Sequence, residues 1–104
     1  MVATSSSVGD ITLWDVSSGT ELRTLSGHTD TVWDLDFSPG LDLLASASAD
    51  GTVRLWDIAN GNELATLSRH TANVLMVHFS HDVHTVMSAA EDGTIYLWGT
   101  DKLN

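Results

Sequence analysis

The stretch Gly27-His28-Thr29-Asp30-Thr31-Val32-Trp33-Asp34-Leu35-Asp36-Phe37-Ser38-Pro39-Gly40, with its continuation Leu43-Leu44-Ala45-Ser46-Ala47-Ser48-Ala49-Asp50-Gly51-Thr52-Val53-Arg54-Leu55-Trp56-Asp57, decides the fold. Its first strand-like run, Thr31 to Phe37, stops at Ser38-Pro39-Gly40, where Pro pre-sets the φ of a turn. The second run, Leu43 to Ser48, stops at Asp50-Gly51, a hairpin pair because Gly accepts the positive φ of a tight primed turn. The third alternates, with Val53 and Leu55 on one face and Arg54 on the other. The same text then returns. Trp14, Trp56 and Trp98 lie 42 residues apart, as do His28 and His70. Between Asp15–Trp56 and Asp57–Trp98, 19 of the 42 paired positions are identical, which chance does not produce.

A period near forty that opens with Gly-His and closes with Trp-Asp marks a propeller blade of four antiparallel strands. On these residues the chain resembles the WD40 repeat family, and the resemblance covers almost its whole length. The expected fold is all-β: WD40-type β-propeller blades, about 2.5 of them, each a four-stranded antiparallel sheet. With strands named a to d from the inner channel outward, the reading is b (1–6), c (11–15), d (21–25), a (31–37), b (43–48) and c (52–57). Then follow d (63–67), a (73–79), b (85–89) and c (94–98). One repeat segment is expected over 1–104, divided into a partial repeat 1–14, repeats 15–56 and 57–98, and a tail 99–104. The last repeat departs from the pattern: Ser80-His81-Asp82-Val83 lacks the turn Pro, and Gly99 stands where the closing Asp would be. In the first, Val8 replaces the Asp of the b–c turn.

Closed propellers need about four to eight blades, so this chain cannot close one alone. Apolar blade faces and unpaired edges at the open ends invite association. The expectation is a homo-oligomer assembled by strand-edge pairing, or the remainder of a longer propeller. Fourteen acidic residues against four Lys plus Arg give a net charge of −10. Phosphate backbones are bound by Lys and Arg, so nucleic acid and anionic membranes are not expected partners. No Cys means neither disulfides nor thiol chemistry. Residues 1–8 carry no secretory pattern, and an intracellular location, cytoplasmic or nuclear, is expected.

Four constellations carry candidate chemistry. The resemblance implies a buried hydrogen-bonded tetrad in each repeat: His28, Ser46, Asp50 and Trp56, then His70, Ser88, Asp92 and Trp98. Asp, His and Ser also compose a hydrolase triad, but a triad needs an exposed nucleophile and an oxyanion hole, and recurrence once per repeat reads as scaffolding. His78, His81 and His84 form a histidine-rich run that could ligate a metal, although turn placement spreads them. The resemblance further implies partner contacts at three rim positions per blade: Thr31, Trp33 and Ala49, then Asn73, Leu75 and Glu91. Trp33 stands out, because its repeat counterpart is Leu75 and Trp is favoured at interface hot spots. Finally, Asp34 and Asp36 share a strand face and are expected to face the wet central channel. The resulting functional expectation is a non-catalytic scaffold, without cofactor, that presents rim loops to a protein or peptide partner. Two alternatives remain open: an engineered or truncated repeat fragment that self-associates into a larger propeller, and a metal-binding module built on the histidine run.

Overall fold

A computed structural model describes residues 1–40 and 42–100. Ten antiparallel strands run through them: β1 (Val2–Ser5), β2 (Ile11–Trp14), β3 (Glu21–Leu25), β4 (Val32–Phe37), β5 (Leu43–Ser48), β6 (Val53–Asp57), β7 (Glu63–Leu67), β8 (Val74–Phe79), β9 (Thr85–Ala90) and β10 (Ile95–Gly99). Among the described residues, no helix is long and apolar enough to cross a membrane. The strands form three sheets: β1-β2-β3, then β4-β5-β6-β7, then β10-β9-β8. The central blade is therefore complete. The first has no inner strand, and the last has no outer strand among the described residues. Strand β10 extends through Gly99, one residue past the repeat as read from the period, and the Thr100 amide donates to the His84 carbonyl at 2.9 Å. The remainder of the expected tail, 101–104, lies outside the described residues.

Alternation along each strand builds the core. Ile11, Leu13 and Leu25 of the first blade pack on Val32, Leu44, Trp56 and Ile58 of the central one. On the other side of the central blade, Ala45, Ala47, Val53 and Leu55 pack on Val74, Val77 and Val86 of the last. Each core is thus made between sheets, since a single sheet cannot bury its own apolar face. The turns press the blades together as well. A Cβ on Gly9 would collide with the His28 carbonyl, and one on Gly51 would meet the His70 carbonyl at 3.4 Å; both glycines also hold positive φ (98° and 87°). At Gly93, the third copy of this turn, nothing among the described residues comes within 4 Å.

The a–b turn of the last blade bears the mark of its missing Pro. Val83 sits at φ 66°, an unusual conformation for a β-branched residue. It is held by its amide donating to Ser80 at 3.0 Å and by its carbonyl accepting from the Thr100 hydroxyl.

Candidate functional site

Four elements place the central tetrad: the loop between β3 and β4, strand β5, the hairpin between β5 and β6, and strand β6. His28 Nδ1 lies 2.9 Å from Asp50 Oδ2 and its Nε2 lies 2.6 Å from Ser46 Oγ. The Trp56 indole N–H donates to the same Ser46 Oγ at 2.9 Å. An ionised carboxylate can only accept, so Nδ1 carries the imidazole proton and the Ser46 hydroxyl donates to Nε2. Thr52 adds a member that the sequence reading did not name: its hydroxyl donates to Asp50 Oδ1 at 2.6 Å and sits 3.2 Å from His28 Nδ1. The Thr29 amide also donates to Asp50 Oδ2, at 3.1 Å. Burial alone would raise the Asp50 pKa, but these hydrogen bonds from Thr52, His28 and the two backbone amides outweigh it and bring it down to about 2. Burial dominates at His28 and lowers its pKa, against the pull of Asp50. Ser46 has no accessible surface. Ser46 is therefore not the exposed nucleophile that a hydrolase triad needs.

The second tetrad is only partly assembled. His70 Nε2 lies 2.7 Å from Ser88 Oγ, and the Trp98 indole donates to the same oxygen at 2.8 Å. Asp92 does not join them. It is exposed and accepts from the Thr94 amide at 3.0 Å, while the buried His70 Nδ1 has no hydrogen-bond partner among the described residues. The Tyr96 ring packs edge-on against the His70 ring, with centroids 4.7 Å apart. The first blade keeps a remnant of the same design, in which the Trp14 indole donates to Thr4 at 2.9 Å.

The networks hold up a rim. In the central blade the Ala49 amide donates to the Thr31 carbonyl at 2.8 Å, and the Ser48 hydroxyl donates to that carbonyl at 2.9 Å. In the last blade the Glu91 amide donates to Asn73 at 3.0 Å, but Ser48 is replaced by Ala90 and the second tie is lost. Trp33 and Leu75 occupy β-bulges: Val32 pairs with Ser48 and Asp34 with Ala47, leaving Trp33 unpaired, and Leu75 is skipped in the same way between Val74 and Met76. A bulge re-aims its extra residue, and here both turn outward, Trp33 53% exposed and Leu75 41%. Thr31, Ala49 and Asn73 are half-buried and Glu91 is exposed. Each predicted rim trio is therefore gathered at the start of an inner strand.

The family model described as WD domain, G-beta repeat matches residues 19–57 and 61–99. The chain belongs to the WD40 family. Among solved structures, it is similar to a chain in the crystal structure of the mitotic checkpoint complex, with 24% identity, a TM-score of 0.90 and 98% of this chain covered. The chain spans 31% of that solved chain's length, and at this identity the likeness concerns the fold. No curated protein sequence matches the chain. Members of the WD40 family are in general non-catalytic protein-interaction scaffolds.

One sequence expectation requires correction against this WD40 scaffold. Asp34 and Asp36 do not simply face the channel. Asp34 Oδ2 accepts from the Val77 amide at 3.0 Å and Asp36 Oδ2 from the Phe79 amide at 2.8 Å, so the pair clamps the inner strand of the next blade. The reason is geometric: adjacent inner strands run side by side without a ladder, and their inward amides need acceptors from side chains. His78 stands on β8 while His81 and His84 lie in and after the following turn, and no three His, Cys, Asp or Glu side chains converge on a metal site among the described residues.

Proposed function

We propose that this chain is a WD40 interaction platform whose working surface is the rim carrying Thr31, Trp33, Ala49, Asn73, Leu75 and Glu91. The observation that carries the reading is the pair of bulges that turn Trp33 and Leu75 to solvent at the same level of adjacent inner strands. Burying either side chain in the core would have been the favourable outcome for an isolated strand. Instead the backbone gives up one ladder position in each blade to display it. The partner is a protein or peptide, because fourteen acidic residues against four basic ones repel phosphate backbones and anionic lipid surfaces. The rim works by presentation: buried struts below it keep the loops from rearranging, so docking costs little ordering entropy.

Peptides selected for binding to the folded protein test the proposal. The Trp33→Ala variant is expected to weaken the selected binders about 30-fold or more, the scale of a Trp hot spot of at least ~2 kcal/mol. Leu22→Ala, in the first blade and away from the bulged pair, should leave affinity unchanged. Binders indifferent to Trp33 and Leu75 would refute the rim assignment.

A further inference from the structure

We propose that Asp92 is a positioning residue of the rim: when a partner covers Leu75 and Glu91, the turn at 91–94 closes and Asp92 seats on His70 as Asp50 seats on His28. This inference rests on the rim reading and adds a regulation to it. The chain holds the same network in two states. In the central blade, Asp50 Oδ2 lies 2.9 Å from His28 Nδ1 and accepts from the Thr29 amide at 3.1 Å. In the last blade Thr71 stands in the place of Thr29, and His70, only 6% exposed, keeps an unpartnered Nδ1. The turn itself is already folded for closure. The Gly93 amide donates to the Ala90 carbonyl at 3.0 Å and the Ala90 amide to the Thr94 carbonyl at 2.9 Å, matching the bonds of Gly51 and Ser48 in the central turn. Asp92 Oδ1 accepts from the Thr94 amide at 3.0 Å, as Asp50 Oδ1 does from the Thr52 amide at 2.9 Å. What differs is the reach of the second oxygen to the histidine. Burial lowers the His70 pKa, and Asp92 is near enough for its charge to pull the other way.

Two substitutions set the open state. The Ser48 hydroxyl accepts from the Asp50 amide at 3.1 Å while it donates to the Thr31 carbonyl, and Ala90 in its place cannot hold Asp92 to the loop. Tyr96 stands where the central blade has Arg54; its ring packs on His70, and the Arg69 guanidinium lies over that ring at 5.0 Å from its centroid. In the free protein Asp92 is exposed, and water serves its carboxylate. A partner seated on Leu75 and Glu91 removes that water, and a carboxylate stripped of water must find donors within the protein. The set at hand is the one that holds Asp50. Docking and closure are thereby linked, because Nδ1 is paired in one state and not in the other, and a ligand shifts an equilibrium only through such a difference. The rim accordingly divides into a fixed half, Thr31, Trp33 and Ala49, and an adjustable half, Asn73, Leu75 and Glu91.

Selected peptides whose binding needs Trp33 are the probe. Asp92→Ala is expected to weaken them about 5-fold or more, the lower end of a typical coupling between sites, with the denaturation midpoint of the free protein unmoved. The proton on His70 Nδ1, followed by nuclear magnetic resonance, should move downfield when peptide binds and stay in place in the Asp92→Ala variant. A double variant, Tyr96→Arg with Ala90→Ser, should be closed without peptide. It is expected to bind more tightly, because the competent form is populated beforehand, and in that background Asp92→Ala should lower the midpoint. Unchanged affinity in Asp92→Ala, or a His70 resonance that peptide does not move, would overturn the inference and leave the Trp33-dependent rim standing. Peptides indifferent to Trp33 and Leu75 would bring down both.

Discussion

The central and last blades carry the same network forty-two residues apart, yet only the central one is closed. In the central blade, Asp50 holds His28, Thr52 and the Thr29 amide together, and Ser48 ties the loop carbonyls down. In the last blade, Asp92 turns to Thr94, Ala90 replaces Ser48, and His70 leans on Tyr96 with its Nδ1 unpartnered. Seven of the eight network residues recur in the last blade, as His70, Thr71, Ser88, Asp92, Gly93, Thr94 and Trp98, and only Ser48 changes, to Ala90. The difference arises in the frame around them, one lost hydroxyl and one aromatic ring. A recurring motif therefore supplies the parts of a network, and the neighbours decide whether it closes.

Three measurements test this contrast. The largest effect is expected from Ser46→Ala, which orphans both His28 Nε2 and Trp56 Nε1. At about 1–3 kcal/mol for each of the two buried groups left unpaired, the loss should be roughly 2–6 kcal/mol in chemical denaturation. Ser88→Ala should cost clearly less, because His70 already has an unpartnered nitrogen and Trp98 is only half-buried. Equal losses would mean that the two networks are energetically alike. Next in size is Asp50→Ala, at about 1–3 kcal/mol, whereas Asp92→Ala should leave the midpoint unmoved because that carboxylate is exposed and does not reach His70.

The smallest effect is in acid. Burial lowers the pKa of His28 and of His70 below 6.5, so the unfolded chain takes up those protons first and stability declines as pH falls below about 6.5. Asp50 titrates near 2 in the fold against 3.8 in the free group, so its contribution is whole above about pH 4 and is lost between there and pH 2. Asp50→Asn should abolish that second decline while preserving the first. A variant that still loses stability below pH 4 as steeply as the wild type would assign the acid limb to other carboxylates.

Much of this was legible in the sequence because repeats are self-annotating. The 42-residue spacing of Trp14, Trp56 and Trp98, the Asp-Gly turns and the alternation of Val53 and Leu55 place every strand within a residue or two, and the resemblance names both tetrads. Thr52 and Thr94 recur with the Asp-Gly pair and could have been read as partners of the turn Asp. The carboxylate clamp was not legible, since Asp34 and Asp36 have Met76 and His78 as counterparts and the period offers no second example. The bulges at Trp33 and Leu75 were hidden as well, because hydrophobicity reads the same whether a residue is paired or displaced.

The blade architecture follows from period, turn chemistry and alternation, local properties that each repeat states on its own. Which Asp closes on its His, and where Asp34 and Asp36 spend their lone pairs, emerged only in the packed fold. Those outcomes depend on what the adjacent sheet brings within hydrogen-bonding distance, and the neighbour of a blade lies a whole repeat away along the chain.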